Sequence, residues 1–528
     1  MLRIAVIADA HVHDTADDPT GRGPILHGAR RGLRSWADTA TGPRVVNESA
    51  AAFEAALTDI AARGIRHVVL LGDYTDEGTE AQTASMAARL ARWRDRHGLI
   101  FHALPGNHDV WAMPGMHTAT RLATGPGASV LVTSDAALAA TEPDAVLTPR
   151  ARRMGQEEGI TAMAAFGYMR RPDDLHWESP FGPDDRPEAR RYDATSTDGT
   201  TRHRLMDASY LVEPAPGLWL LMIDANAFVP RAGIADPLRK RAFHDPGNAG
   251  WSALLRVKPH LVPWIASVAA RAAAQEKTLL TFSHYPVLDP FADDGTDAEI
   301  FPDIPEVTRA PAPEVAQALI GAGIRWHMGG HMHVLAQNAH PGGLTDHAAP
   351  STAAWPPAWM LVTPETRAVQ PVPLTLAPDP ALMAFYRADG AMPDDTEAQD
   401  YAAFLLARSR ARALARDLRH NWPASLAASL PLCTAADLAA LLARGHGPLT
   451  HDPQATGPLA AIPAREMAAD RQTLRRGGAL ALAAIPAARR DAWTYLATRA
   501  KPGATGDAAT LGRILTRMAT GIAFGVKP

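Results

Sequence analysis

Up to about residue 105, short apolar runs alternate with longer amphipathic stretches. Residues 2–8 form an apolar run that ends in the carboxylate of Asp9. Residues 47–63 place Phe53, Leu57 and Ile60 on one face at helical spacing, with Asn47 as a cap and Gly64 as a stop. Residues 67–71, His67 followed by four apolar residues, have the pattern of a strand buried on both faces and break at Gly72-Asp73. Residues 80–97 repeat the helical pattern through Met86, Leu90 and Trp93. Residues 99–104 repeat the strand pattern before Pro105-Gly106. Strand, helix, strand, helix, strand predicts right-handed crossovers and a largely parallel sheet.

Between about 114 and 205 this rhythm is lost, and the Gly-, Pro-, Asp- and Arg-rich stretch reads as an insertion. Strands return at 210–212 and 218–223, followed by a helix over 260–275 with Val262, Ile265, Ala269 and Ala272 on one face. A strand at 278–282, a helix at 314–322 and a strand at 324–328 come next, and apolar segments at 359–362 and 368–372 are placed to finish a sheet. From about residue 378 the chain turns to Ala-rich helices. There Phe404, Ala407, Ala411, Leu414 and Leu418 mark a packed face, and Arg408, Arg412 and Arg416 a second stripe of the kind usually left to solvent. The predicted organisation is an α/β catalytic domain over 1–377, interrupted by the insertion, and an α-helical region over 378–528 that carries no motif of its own.

Composition narrows the function classes. With 528 residues, 47% hydrophobic and 20% charged, the chain can bury a normal core. A net charge of −4 lacks the basic excess of a dedicated nucleic-acid binder, which disfavours nucleic acid as a partner without excluding a local patch. One cysteine, Cys433, rules out an intrachain disulfide framework. The first apolar run is too short for a signal peptide and no run is long enough to span a bilayer, so the expected compartment is the cytoplasm.

Five segments carry the chemistry: Asp9-Ala-His11, Gly72-Asp73, Gly106-Asn107-His108-Asp109, Ser283-His284 and Gly330-His331-Met332-His333. Each follows a predicted strand, and loops after the carboxyl ends of strands converge on one rim of an open α/β sheet. Two carboxylates, one amide and four imidazoles could meet there. Mixed imidazole and carboxylate donors suit transition metals such as Mn, Fe or Zn better than Mg or Ca. Seven side chains are too many for one open ion but natural for two that share a carboxylate, the arrangement that clamps an in-line displacement at phosphorus.

Taken together, these blocks resemble the five-block signature of the calcineurin-like metallophosphoesterase superfamily, over residues 2 to about 370. The resemblance implies a four-layer α/β/β/α sandwich with the metals at one sheet rim. It further implies that Asp9, His11 and His333 hold one divalent ion, that Asn107, His284 and His331 hold the other, and that Asp73 bridges them. His108 would protonate or stabilise the leaving oxygen, while water shared between the metals attacks. The block Gly72-Asp-Tyr-Thr-Asp76-Glu77-Gly78 departs from protein Ser/Thr phosphatases: Glu77 stands where those have a phosphate-gripping Arg, and Asp109 where they have Glu. It is closer to bacterial phosphodiesterases of the cyclic-nucleotide and glycerophosphodiester type. The expected substrate is therefore a small phosphodiester, with a phosphomonoesterase or nuclease as the alternative. A non-catalytic protein-binding scaffold is a remote third reading, opposed by the fact that every ligand position is filled. Asp76 and Asp109 are candidates to orient a ligand imidazole or to shape a turn, Tyr74 and His117 to line the substrate pocket, and His13 to lie in an exposed loop.

Overall fold

The computed structural model describes residues 2–239, 241–390, 392 and 399–524. Every residue of Ile4–Ile7 (β1) and His67–Leu71 (β2) is buried, and Ile100–Leu104 (β3) is nearly so, which requires cover on both faces. One cover is a helix layer. Ser49–Ala62 (α1) turns Ala52, Phe53, Ala56, Leu57 and Ile60 inward, and Glu80–His97 (α2) adds Met86 and Leu90. The Thr79 side chain caps α2 and left-handed Gly98 ends it.

The other cover is a second sheet. It is built from His176–Glu178 (β4), Tyr210–Ala215 (β5), Leu218–Ile223 (β6), Thr278–Ser283 (β7), Trp326–Gly329 (β8), Ala336–Ala339 (β9) and Thr345–Ala348 (β10), in the order β9-β10-β8-β7-β6-β5-β4. Ala358–Thr363 (β11) and Ala368–Pro373 (β12) return to the first sheet, whose order is β12-β11-β1-β2-β3. The two faces of β5 and β6 are used alternately, as the pleat demands. Val212, Leu220 and Met222 join the core shared with the first sheet. Leu211, Leu221 and Ile223 pack instead with Pro246–Val257 (α3), Leu261–Ala274 (α4) and Pro313–Gly321 (α5). The result is the four-layer α/β/β/α sandwich, with β1–β2–β3 and β6–β7–β8 parallel so that their carboxyl ends share one rim.

The stretch read as an insertion is partly structural. It holds hairpins at Ala119–Gly125 with Ala128–Thr133 and at Arg191–Thr195 with Arg202–Met206, and it also supplies β4 to the second sheet.

Beyond β12 the chain adds helices of two kinds. Pro380–Ala388 (α6) and Tyr401–Arg412 (α7) enter the core of the sandwich, where Tyr386 and Phe404 meet Trp36. A five-residue π turn, Ala413–Asp417, prolongs α7. Later helices, among them Glu466–Gly477 (α8), build a second core that takes in Phe301 and Ile304 from the loop after β7. The arginine stripe is solvated only toward its end, at Arg416. Arg408 is buried, its guanidinium 4.4 Å from the centre of the Trp36 ring and donating to the Thr39 carbonyl at 2.7 Å, because α7 is covered on that side by the segment before α1. Among the described residues no helix is long and apolar enough to cross a membrane.

Candidate metal centre

Each of the five sequence blocks leaves a strand of the shared rim: Asp9 follows β1, Asp73 follows β2, Asn107 follows β3, His284 follows β7, and His331 and His333 follow β8. The turns needed to aim these side chains inward are unusual. Asp9, His11, Asp73, His331 and His333 all have positive φ, and they are five of the nine non-glycine residues that do so among the described residues. Such backbone is costly for L-residues and persists where surrounding structure enforces it. Two glycines make room. A Cβ on Gly106 would lie 2.2 Å from Asp73 Oδ1, and one on Gly330 would lie 2.4 Å from Asp9 Oδ2.

The seven proposed ligands meet at the rim, six of them buried and Asn107 half-buried. His333 Nε2 lies 3.4 Å from Asp9 Oδ1 and 3.0 Å from His11 Nε2. Asp73 Oδ2 lies 3.7 Å from His11 Nε2 and 3.3 Å from His284 Nε2, so it reaches both halves of the centre. Asn107 Oδ1 lies 3.3 Å from His284 Nε2. Two compact sets able to hold an ion follow from this geometry, Asp9/His11/His333 and Asp73/His284/His331; a third, His11/Asp76/His108, overlaps the first.

Backbone acceptors fix the imidazoles. His284 Nδ1–H donates to the Leu71 carbonyl at 2.9 Å, which leaves Nε2 free. His331 Nε2–H donates to the Gly247 carbonyl at 2.9 Å, which leaves Nδ1 free. Such anchoring of one ring nitrogen is how metal-binding histidines are oriented. His11 Nδ1 is buried with no hydrogen-bond partner. That orphaned nitrogen, the facing Nε2 atoms of His11 and His333 and the mixed N/O donor set all fit divalent transition metals.

The electrostatics without metal describe a site built to compensate charge. Burial pushes the Asp73 carboxyl up, but His284 and His108 hold it well below its usual range. Burial pulls His284 down, yet Asp73 wins and raises it to about 9. His11 and His331 are held well below the ordinary histidine value, first by burial, then by Arg44 for His11 and by His284 for His331.

His108 sits beside the ligands. Its amide donates to Asp73 Oδ1 at 2.7 Å, its Nδ1–H donates to the Asp76 carbonyl at 2.6 Å, and its ring is edge-on to His11 at 4.7 Å. Asp76 also holds Arg44, with Nε 3.0 Å from Oδ1. Asp109 does not touch a candidate ligand side chain. Its two oxygens accept from the Thr75 amide and hydroxyl and from the Gly106 amide, all at 2.8 Å, which pins the Gly106-Asn107 turn against the block after β2. Burial, then Asp73, lifts the Asp109 carboxyl to about 7.

Two pocket expectations, and the exposure expected of His13, are corrected. Tyr74 is buried in the hydrophobic core and does not line the cavity, because the chain after Asp73 turns its ring inward. His117 pairs with Ser134 in the hairpin region away from the cavity. His13 is buried, with Nε2 2.7 Å from the Gly32 carbonyl. Arg44, which no periodicity marked, lines the cavity, as do Arg309, Arg412, Arg416 and Arg476. The cavity above the centre measures about 300 Å³.

Residues 2–139 match the family model described as calcineurin-like phosphoesterase. Over that stretch the chain is similar to calcineurin-like phosphoesterases. That match, together with the His/Asp clusters at the rim, supports a metal-dependent phosphoester hydrolase. No curated protein matches the chain. Among solved structures it is similar to a dimetal phosphatase from Danio rerio, at 14% identity and a TM-score of 0.35, over 68% of this chain and 92% of that one. It is also similar to the phosphopantetheinyl hydrolase of Mycobacterium tuberculosis, at 12% identity and a TM-score of 0.25, over 72% and 96%. GAP50, the anchor in the inner membrane complex of Plasmodium, matches at 9% identity and a TM-score of 0.26, over 74% and 95%. Likeness at this level argues for no substrate.

Proposed function

We propose that the protein hydrolyses a small phosphodiester at a centre of two divalent transition-metal ions, Mn, Fe or Zn. The observation that carries this is Asp73, whose one carboxylate faces His11 on one side and His284 on the other. Asp9, His11 and His333 would hold one ion, Asn107, His284 and His331 the other, and Asp73 both. When bound, such a pair polarises the phosphoryl oxygens and lowers the pKa of water. Arg44, held beside His108 by Asp76, would grip a phosphoryl oxygen and so replace the guanidinium that Glu77 does not supply.

His108 would pass a proton from Nε2 to the leaving oxygen. Burial, helped by Arg44 and Arg153 and opposed by Asp73, holds its ring down to about 4 in the substrate-free protein. The ring would therefore take up that proton only once an anionic ester is seated beside it. The diester preference rests on the Asp76-Glu77 block and on Asp109 following His108. A nuclease reading is disfavoured by the helices of the carboxyl-terminal region that wall the cavity.

The test is turnover by Mn²⁺-loaded protein of bis-p-nitrophenyl phosphate against p-nitrophenyl phosphate. A higher kcat/KM for the diester is expected. Preference for the monoester overturns the diester assignment, and no turnover of either, with no transition metal retained, overturns the hydrolase reading.

A further inference from the structure

The metal centre is only the floor of its cavity. The opposite wall comes from the carboxyl-terminal helices: Arg412, Ala413, Arg416 and Asp417 on α7 and its π turn, and Gln472 and Arg476 on α8. Facing them is Arg309, from the loop after β7. This wall has more cations than it can neutralise. Arg412 and Arg416 share one carboxylate, Asp417, at 3.0 and 3.2 Å. Arg476 has Glu306 at 3.3 Å, and Arg309 donates to the neutral amide oxygen of Asn248 at 2.9 Å. Burial, and then the guanidiniums of Arg476 and Arg416, hold Arg412 below the ordinary arginine range despite Asp417. Crowding like charges around a concave, partly desolvated surface is costly unless an anion completes it.

A second observation points the same way. α7 opens into a π turn where it meets the cavity, and Arg416 and Asp417 lie in that turn. Single wide turns inside α-helices are rare and recur at functional sites. The wall is also joined to the metal centre: Arg476 donates to the carbonyl of Met332, the residue between His331 and His333.

From this we propose that the α7–α8 wall is a second anion subsite, so that the ester cleaved carries a further phosphate or carboxylate beyond the phosphoryl group at the metals. This rests on the phosphoesterase reading above. Planar guanidiniums bind both anions in fork geometry.

The experiment uses the metal-loaded full chain and pairs of p-nitrophenyl phosphodiesters in which one member, the doubly anionic one, bears a second anionic group. One pair is thymidine 5′-(p-nitrophenyl phosphate) with and without a 3′-phosphate; the other is the 3-hydroxypropanoate ester against the propanol ester. Wild type is expected to favour the doubly anionic member of at least one pair by about tenfold or more in KM, the scale of one or two charge-assisted hydrogen bonds. The pair that responds assigns phosphate or carboxylate. Arg416 is 44% exposed at its side chain, so Arg416→Gln should keep its melting temperature. It should lose most of the preference, with a much larger loss on the doubly anionic ester than on its partner. Arg416→Glu should lose it further. Equal kcat/KM for both members of both pairs in wild type overturns the subsite, as does an unaltered preference in Arg416→Glu. Absence of turnover on every ester overturns the phosphoesterase reading and this subsite with it, an outcome distinct from turnover without preference.

Discussion

Asp73 and His108 touch each other through a backbone amide yet are expected to fail in different ways. Because Asp73 reaches both halves of the centre, Asp73→Asn should strip more metal and more activity than Asp9→Asn or His333→Asn, read as metal per protein by elemental analysis. Equal, mild losses across the three would remove the bridging role. For His108→Asn, metal content should stay near wild type while turnover of an alkyl ester falls by about 10²–10⁴-fold, with a smaller loss for p-nitrophenolate esters that need little protonation. Loss of a metal ion in His108→Asn would instead make it a ligand. The five ligand blocks were legible in the sequence because each stands directly after an apolar run, three of them opening on a glycine. Arg44 was not, since its importance lies in reaching Asp76 across 32 positions of chain. Tyr74 misled because motif adjacency says nothing about which way a ring turns.

At the level of elements, β2 and β3 bring His67 and His102 together in the first sheet, Nδ1 to Nε2 at 3.3 Å and well buried. Burial, then Arg171, lowers both, His67 to about 4. The unfolded chain takes up a proton near the ordinary histidine value, and the folded chain resists until much lower pH. Stability is therefore fully present above about pH 6.5 and is lost as pH falls toward 4, by about 2–3 kcal/mol from His67 alone. Denaturant titrations at pH 7 and 5 should show this loss, and His67→Gln should flatten it. A wild-type stability independent of pH across that range would refute the account. Strands and amphipathic helices were readable from period alone: α2 spans the predicted residues, and α1 and α4 differ by a residue or two at each end. α3 was not, because Pro246, Gly247 and the non-helical Gly250 break its pattern. The hairpins of the 114–205 stretch were hidden by polar, Arg- and Asp-rich alternation, and pairing partners are set by tertiary contact.

Taken whole, the molecule does not divide cleanly where composition changes. Removing everything after residue 377 would take Tyr386 and Phe404 from the sandwich core, and with them the Tyr386 hydroxyl's contacts to Asn47 and Glu48. Loss of such large buried side chains costs about 3–5 kcal/mol each, a large share of a domain's stability. A chain ending at residue 377 is expected to melt well below the full chain and to be cut rapidly by protease. Wild-type melting by that shortened chain would show that the helices are an independent appendage. The sequence showed the change to Ala-rich helices but not their docking, because the contacts join positions more than 300 residues apart.

The helical wall over the cavity also bears on how such a centre meets polyanions. An open dimetal rim would be occupied by any RNA or phosphoprotein that drifted past, since phosphate backbones attract cationic surfaces without regard to sequence. Here Arg412, Arg416 and Arg476 line a cavity of about 300 Å³. Positive charge is sequestered where only a compact ester fits, while the chain as a whole stays at −4. On the proposed reading, long polymers would be turned away by shape and by sign, leaving the centre to a small ester.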